Sequence, residues 1–234
     1  MAFSYSPKIV TDGLVLYLDA ANTRSYPGTG TVWSDLSRSG NNGTLINGPT
    51  FNSANGGNIV FDGSNDYIST NTNSSLTQAG NTQFTVDVWV KKSASNKDML
   101  LGPWDNSNRK GWFVQWFTDG NLYFGITNGA FNYNYVSVSW QNQCFNLTGV
   151  FDGSLLTNQN IGKIYVNNIL QNTTNSGNML TSVPAGLVEV SIGRLTNYSS
   201  YATGNITMVK IYNRALSASE ISQNYNATKT RFGL

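Results

Sequence analysis

Catalysis in this chain would have to proceed without histidine, because none occurs among its 234 residues. That removes the usual general base near neutral pH, the usual activator of a serine nucleophile and the commonest zinc ligand. Carboxylates remain, and glycoside hydrolysis needs two of them facing each other across the scissile bond. The only glutamates are Glu189 and Glu220. Glu189 stands in VEVSIG with no acidic residue two or four positions away, and Glu220 follows Ser217 at the spacing of a helix capping box. Asp87, between Val86 and Val88, reads by alternation as an outward-facing strand position rather than a catalytic acid. No Gly-x-Gly-x-x-Gly run opens a helix after a strand, so no nucleotide site is expected. The expectation is a chain without catalytic residues or a cofactor.

Aromatic rings offer the other chemistry. Within GWFVQWF, Trp112, Val114 and Trp116 share one face of an extended segment while Phe113, Gln115 and Phe117 share the other, so both faces carry rings. One face must be core. The other could stack on a sugar ring or be covered by a loop or a subunit, since exposed ring patches mark interaction sites. Trp104, Tyr133 and Tyr135 lie on either side of this segment and could rim the same groove. The candidate ligand-binding set is therefore Trp104, Trp112, Trp116, Tyr133 and Tyr135, with sugar contact, subunit contact and simple packing all open.

The elements that would hold these residues are strands. Apolar alternation bounded by turn residues recurs at 84–91, 99–102, 111–117, 122–127, 135–140, 144–151, 163–168, 188–192 and 206–212. Asp119-Gly120 marks a hairpin, and Asp62-Gly63 reads as a second one joining Ile59 and Phe61 to Tyr67 and Ile68. Short strands are expected at 44–46 and 50–52, and an apolar strand at 14–18. In the segment 206–212, Ile206, Met208, Lys210 and Tyr212 alternate with Thr207, Val209 and Ile211, which predicts a strand buried on nearly both sides. The Ser217 cap starts a helix of about two turns ending near Asn226. Such a succession argues for two packed antiparallel sheets in a single all-β domain over residues 1–226, with 227–234 a tail that lies across a neighbour or hangs free.

Composition narrows the partners. Charged residues make up 11% of the chain and the net charge is +2, with the fourteen Lys and Arg scattered rather than striped. Nucleic acid is therefore not an expected partner. No apolar run reaches the roughly 20 residues of a membrane span, and the first ten residues show no basic region followed by an apolar core, so no membrane insertion and no secretory signal are expected. Cys144 is the only cysteine and is expected to be an unpaired, buried thiol.

The closing stretch 205–234, NITMVKIYNRALSASEISQNYNATKTRFGL, resembles the last strand and helix of the laminin G-like, concanavalin A-type lectin/glucanase jelly rolls. Residues 33–51 (WSDLSRSGNNGTLINGPTF), 57–70 (GNIVFDGSNDYIST), 84–91 (FTVDVWVK), 146–153 (NLTGVFDG) and 163–168 (KIYVNN) resemble that family's other motifs in order. The resemblance implies a two-sheet jelly-roll sandwich with one short C-terminal helix. Glucanases on this fold carry two Glu flanking an Asp on one strand, a pattern missing here. Many relatives bind calcium through oxygen ligands. Asp19 matches one acidic position of that site, but the second is Thr207, so the resemblance implies at most a calcium site short of one carboxylate. Asp62 and Asp66 in FDGSNDY offer another oxygen cluster, which also suits a tight turn.

Residues 9–26 (IVTDGLVLYLDAANTRSY) and 231–234 (RFGL) are most similar to versions encoded by tailed bacteriophages as virion proteins. That similarity implies a non-catalytic structural protein on the virion surface, assembled in the host cytoplasm as a homo-oligomer beside other virion proteins. A role in adhesion to host surface polysaccharide, or a purely architectural decoration or fibre-base role, would follow.

Overall fold

The computed structural model describes residues 7–93, 99–105, 107–138, 143–195 and 200–234. Strands β1 (Leu14–Asp19), β2 (Val32–Trp33), β3 (Gly43–Ile46), β4 (Thr50–Asn52), β5 (Asn58–Asp62) and β6 (Tyr67–Ser69) precede a one-turn helix α1 (Ser74–Thr77). Then come β7 (Gln83–Lys92), β8 (Met99–Gly102), β9 (Lys110–Trp116), β10 (Asn121–Asn128), β11 (Tyr133–Ser137) and β12 (Phe145–Asp152). After the short α2 (Asn158–Ile161) follow β13 (Gly162–Val166), β14 (Ile169–Leu170), β15 (Thr174–Ser176), β16 (Ser191–Ile192), β17 (Thr203–Tyr212) and helix α3 (Ala218–Thr228). Trp140, expected in the strand at 135–140, lies outside the described residues.

All pairings are antiparallel and fall into two sheets. The first runs β14-β13-β12-β7-β17-β5-β4 with β1 also paired to β17, and the second runs β15-β11-β10-β9-β8-β16-β6-β3-β2. Their inner faces share one apolar core containing Trp112, Trp116, Phe84, Phe124, Phe145 and Phe151. This is the all-β, two-sheet jelly-roll sandwich that the pattern predicts.

Several expectations change. The Asp62-Gly63 turn does not close a hairpin: β5 pairs with β4 and β17 in one sheet, while β6 pairs with β3 and β16 in the other. Local sequence marks the turn but not which sheet the chain enters. In β17 a bulge at Thr207 puts Ile206 opposite Val90 and Met208 opposite Trp89. Ile206 thereby joins Val209 and Ile211 in the inter-sheet core, out of phase with Lys210 and Tyr212. Cys144 is half-buried, not buried, and Asn55 donates weakly to its sulfur at 3.5 Å.

A further change concerns the outer face of the first sheet, which α3 and residues near Val10 cover. Val10, Tyr212, Leu216 and Ile221 form a second apolar cluster there. The α3 N-terminus carries the predicted capping box, with Glu220 also gripped by Arg214 at 2.7 and 3.0 Å. Arg214 and the hydrogen bonds from Ser217 hold the Glu220 carboxyl well down, at about 2. Asp87 does point away from the inter-sheet core, but α3 makes that face an interior. It is fully buried, 2.9 Å from the equally buried Lys210 ammonium, and accepts from Asn146 and Thr148.

Residues 229–234 are no free tail. The helix continues into a 3-10 turn, Lys229–Phe232, whose Phe232 ring stacks on Trp89 at 3.9 Å. Arg231 reaches Asp19 with two parallel hydrogen bonds of 2.9 Å.

Candidate functional site

The GWFVQWF segment becomes β9, at the centre of the second sheet. Strict alternation sends Trp112, Val114 and Trp116 into the core and leaves Phe113 and Gln115 on the outer face. Register then sets two rows across the sheet. Gln115 lies opposite Tyr123, which lies opposite Tyr135; Phe113 lies opposite Gly125, which lies opposite Tyr133. Gly125 has no side chain to fill the second row. A Cβ there would approach the Phe113 ring and the Asn132 carbonyl to 2.7 Å, so the ring settles over the glycine.

The gap between the rows is a pocket of about 230 Å³, lined by Trp104, Phe113, Gln115, Phe117, Tyr123, Phe131 and Tyr133. Its rings meet mostly edge to face: Tyr123 and Tyr133 at 5.0 Å and 87°, Phe113 and Tyr133 at 6.5 Å and 68°. Such contacts lock one another without closing the gap. Trp104 is buried at its base and donates from Nε1 to Thr127 Oγ1 at 2.7 Å. Tyr135 stands outside the lining, stacked behind Tyr123 at 5.4 Å. The Arg109 guanidinium lies 4.7 Å from the centre of Phe131 at one rim.

At the other rim is the β9–β10 turn. Tyr123 donates its hydroxyl to Asp119 Oδ2 at 2.5 Å, and Asn121 donates from both its backbone N–H and its side chain to the same carboxylate at 2.9 Å. Partial burial pushes the Asp119 carboxyl up, but these hydrogen bonds, together with the Lys92 charge, outweigh it and its pKa falls below the usual range. Burial, reinforced by the bond to Asp119, raises the Tyr123 phenol to about 12. At neutral pH the rim thus holds a carboxylate beside a neutral phenol.

The predicted ligand set divides. Tyr133 lines the pocket and Trp104 closes its base, whereas Tyr135 only supports it. Trp112 and Trp116 cannot touch a ligand: both are buried between the sheets, Trp112 donating to the Thr77 carbonyl at 2.8 Å. Asp119, Tyr123 and Phe131 join the site without belonging to the ligand set expected from sequence. A signal for Tyr123 is present in the chain, because the Asp119-Gly120 hairpin fixes the register that puts it beside Gln115.

The other carboxylates weighed from the sequence are engaged. Glu189 accepts from Ser69, Ser191 and Arg194, whose guanidinium lies over the Tyr67 ring at 3.5 Å. Asp62 and Asp66 order their own turn, Asp66 accepting from the Asp62 N–H at 3.2 Å and Asp62 from Ser64 at 2.7 Å. Asp19 does not fit a calcium ion: both of its oxygens are held by Arg231, a cation that the chain itself supplies, and Thr207 Oγ1 is spent on Asn58. Among the described residues no cluster of three or more His, Cys, Asp or Glu could hold a metal, and no helix is long and apolar enough to cross a membrane.

Known proteins share this architecture. A botulinum neurotoxin type C structure, described by its dependence on two ganglioside molecules for cell entry, superposes with a TM-score of 0.70 at 17% identity, over 94% of this chain and 52% of that one. The receptor-binding domain of a botulinum neurotoxin C/D mosaic serotype gives 0.69 at 17%, over 92% and 51%. Trypanosoma rangeli sialidase in complex with sialic acid gives 0.66 at 14%, over 97% and 36%. The chain thus spans about half the length of the toxin chains and about a third of the sialidase, and at these identities the likeness is one of fold. No curated protein matches the chain. The concanavalin A-like lectin/glucanases superfamily, in its laminin G form, matches residues 62–222, from the Phe-Asp-Gly turn to the middle of α3. With the two sheets and the capped helix in place and well over half the sequence matched, the chain belongs to the concanavalin A-like lectin/glucanases superfamily.

Proposed function

We propose that the protein is a non-catalytic glycan-binding domain that holds sugar rings in the aromatic pocket on the outer face of its nine-stranded sheet. The observation that carries this reading is the pocket itself: six aromatic side chains converge on one gap, and sugar C–H faces pack on aromatic faces. The ganglioside and sialic acid named with two fold relatives accord with it. A hydrolase needs two carboxylates flanking the bond, at about 5–9.5 Å from each other. The lining of the pocket contains none, and Asp119 stands at one rim without an acidic counterpart in that lining.

The wider reading places the domain on the surface of a tailed phage particle, in many copies, beside other virion proteins and its own copies. Its support is the similarity of residues 9–26 and 231–234 to phage virion proteins. Host surface polysaccharide would then be the ligand, bound weakly at each site and firmly by the particle.

The test is a glycan array probed with the multivalent protein, wild type against Tyr133→Ala. Wild type should bind a defined set of polysaccharides, and Tyr133→Ala should lose about ten- to a hundredfold, as for removal of one stacking ring. A silent array with folded, multivalent protein would refute the reading and leave the aromatic face to a subunit contact.

A further inference from the structure

The pocket has two chemically different rims, a difference that bears on which glycans it would take. This deepens the glycan-binding reading and rests on it. At the β9–β10 turn the polar groups beside the pocket are Asp119, Asn121, Tyr123 and Ser137, joined in one network. Ser137 donates to Asn121 Oδ1 at 2.6 Å, Asn121 donates to Asp119, and Tyr123 donates to Asp119. The donors of this network are already directed inward. The Tyr123 hydroxyl hydrogen is used on Asp119, the Ser137 hydrogen on Asn121, and the Asn121 amide is shared between Asp119 and Tyr123, the latter at 3.3 Å.

Unused lone pairs are what the network still offers. A carboxylate has about four acceptor sites. The bonds from Tyr123 and from the Asn121 side chain and backbone take three of those of Asp119. The rim therefore accepts hydrogen bonds and carries a negative charge.

We infer that the pocket takes neutral glycans, with a sugar ring packed on Tyr123 and Tyr133 and its hydroxyls donating to Asp119, and that it rejects glycans bearing a carboxylate, sulfate or phosphate at that ring. A hydroxyl can supply the hydrogen that the rim wants. An ionised acid cannot, and it would meet the Asp119 charge at an exposed rim, where two like charges about 4 Å apart still cost on the order of the 1.4 kcal/mol that makes a tenfold preference. Neither nearby cation can pair with a bound acid: the Arg109 guanidinium lies over Phe131, away from Phe117 and the turn, and the Lys92 ammonium, which steadies Asp119 from within, is buried and donates to the Phe117 carbonyl at 3.1 Å.

Isothermal titration and Trp fluorescence on the whole chain distinguish the outcomes, using three probes: a neutral hexose oligosaccharide, its uronic acid counterpart and sialyllactose. Wild type should bind the neutral probe and show at least tenfold weaker affinity for both acidic ones. Asp119→Asn keeps the shape and removes the charge. It should weaken the neutral probe about tenfold, the size of one charge-assisted hydrogen bond. It should also narrow the gap to the acidic probes. Asp119→Lys should reverse the preference. Acidic probes binding wild type as well as or better than the neutral one would overturn the selectivity while leaving glycan binding intact. Unchanged preference in folded Asp119→Asn and Asp119→Lys would overturn the role of Asp119. Failure of all three probes, and of a wider glycan panel, would instead sink the glycan-binding reading beneath it.

Discussion

Single residues carry their weight here through what covers them. Asp87 and Lys210 face each other across β7 and β17, both fully buried, with Asn146 and Thr148 completing the carboxylate. A buried pair of this kind is weak evidence for net stability, because two charges must be desolvated to make it. Breaking it is another matter. Asp87→Asn would strand the Lys210 ammonium, and urea unfolding should show a loss of about 3–5 kcal/mol. Asp87→Asn combined with Lys210→Met should recover part of that loss, since no charge is then left buried. Equal losses in the single and double variants would show that the charge is not what the single variant strands.

At the scale of elements, the C-terminal segment acts as a clasp on the first sheet. Helix α3 lies across its outer face, Thr228 accepts from Trp89 Nε1 at 2.9 Å, and Phe232 and Tyr225 both stack on the Trp89 ring. Arg231 then fastens the clasp to Asp19 at the end of β1. The two anchors differ in kind: the stack buries apolar area, whereas the ion pair neutralises a carboxylate that has no exposure of its own. Phe232→Ala should cost about 1–3 kcal/mol and shift Trp emission to the red, as the ring loses its cover. Thermal melts followed by fluorescence read both effects. No change in either would mean that the last turn rests on the sheet without holding it.

The whole molecule presents its two sheets differently. One outer face is closed by the chain's own helix and N-terminal segment, and the other bears the aromatic pocket. A single small pocket of this kind binds weakly, so useful adhesion would come from many copies acting together. Purified protein should therefore elute as a monomer or small oligomer with the pocket accessible. Its apparent affinity for a polysaccharide surface should rise about 10²–10⁴-fold when the protein is displayed multivalently on beads. Light scattering beside surface binding checks this. A large closed assembly that ignores glycans would assign the aromatic face to contacts between copies.

Local pattern is enough for the class of fold. Strand alternation, the Asp119-Gly120 turn and the Ser217–Glu220 capping box are properties of neighbouring residues; the turn and the box appear where the sequence puts them, and so do most strands, although the stretch expected at 188–192 pairs only at Ser191–Ile192. The same alternation splits GWFVQWF into two faces, and one of those faces is the pocket wall. It does not say which, because both faces carry rings and a period of two has no inside or outside of its own. Only packing of the first sheet against β9 settles that Trp112 and Trp116 are core.

What depends on distant parts of the chain is beyond the reach of local pattern. Asp87 reads as outward and is buried because α3, more than a hundred residues later, returns over it. Asp19 matches one acidic position of the calcium site that the resemblance implies, and is satisfied instead by Arg231, 212 residues away. The turn at Asp62-Gly63 reads as a hairpin and instead passes the chain from one sheet to the other. Sequence thus determined the elements, the sandwich and the aromatic character of one strand, since those follow from short-range sterics and periodicity. Tertiary structure decided which rings line the outer pocket and which carboxylates are neutralised by a cation of the chain, since those depend on what the rest of the chain lays over each residue.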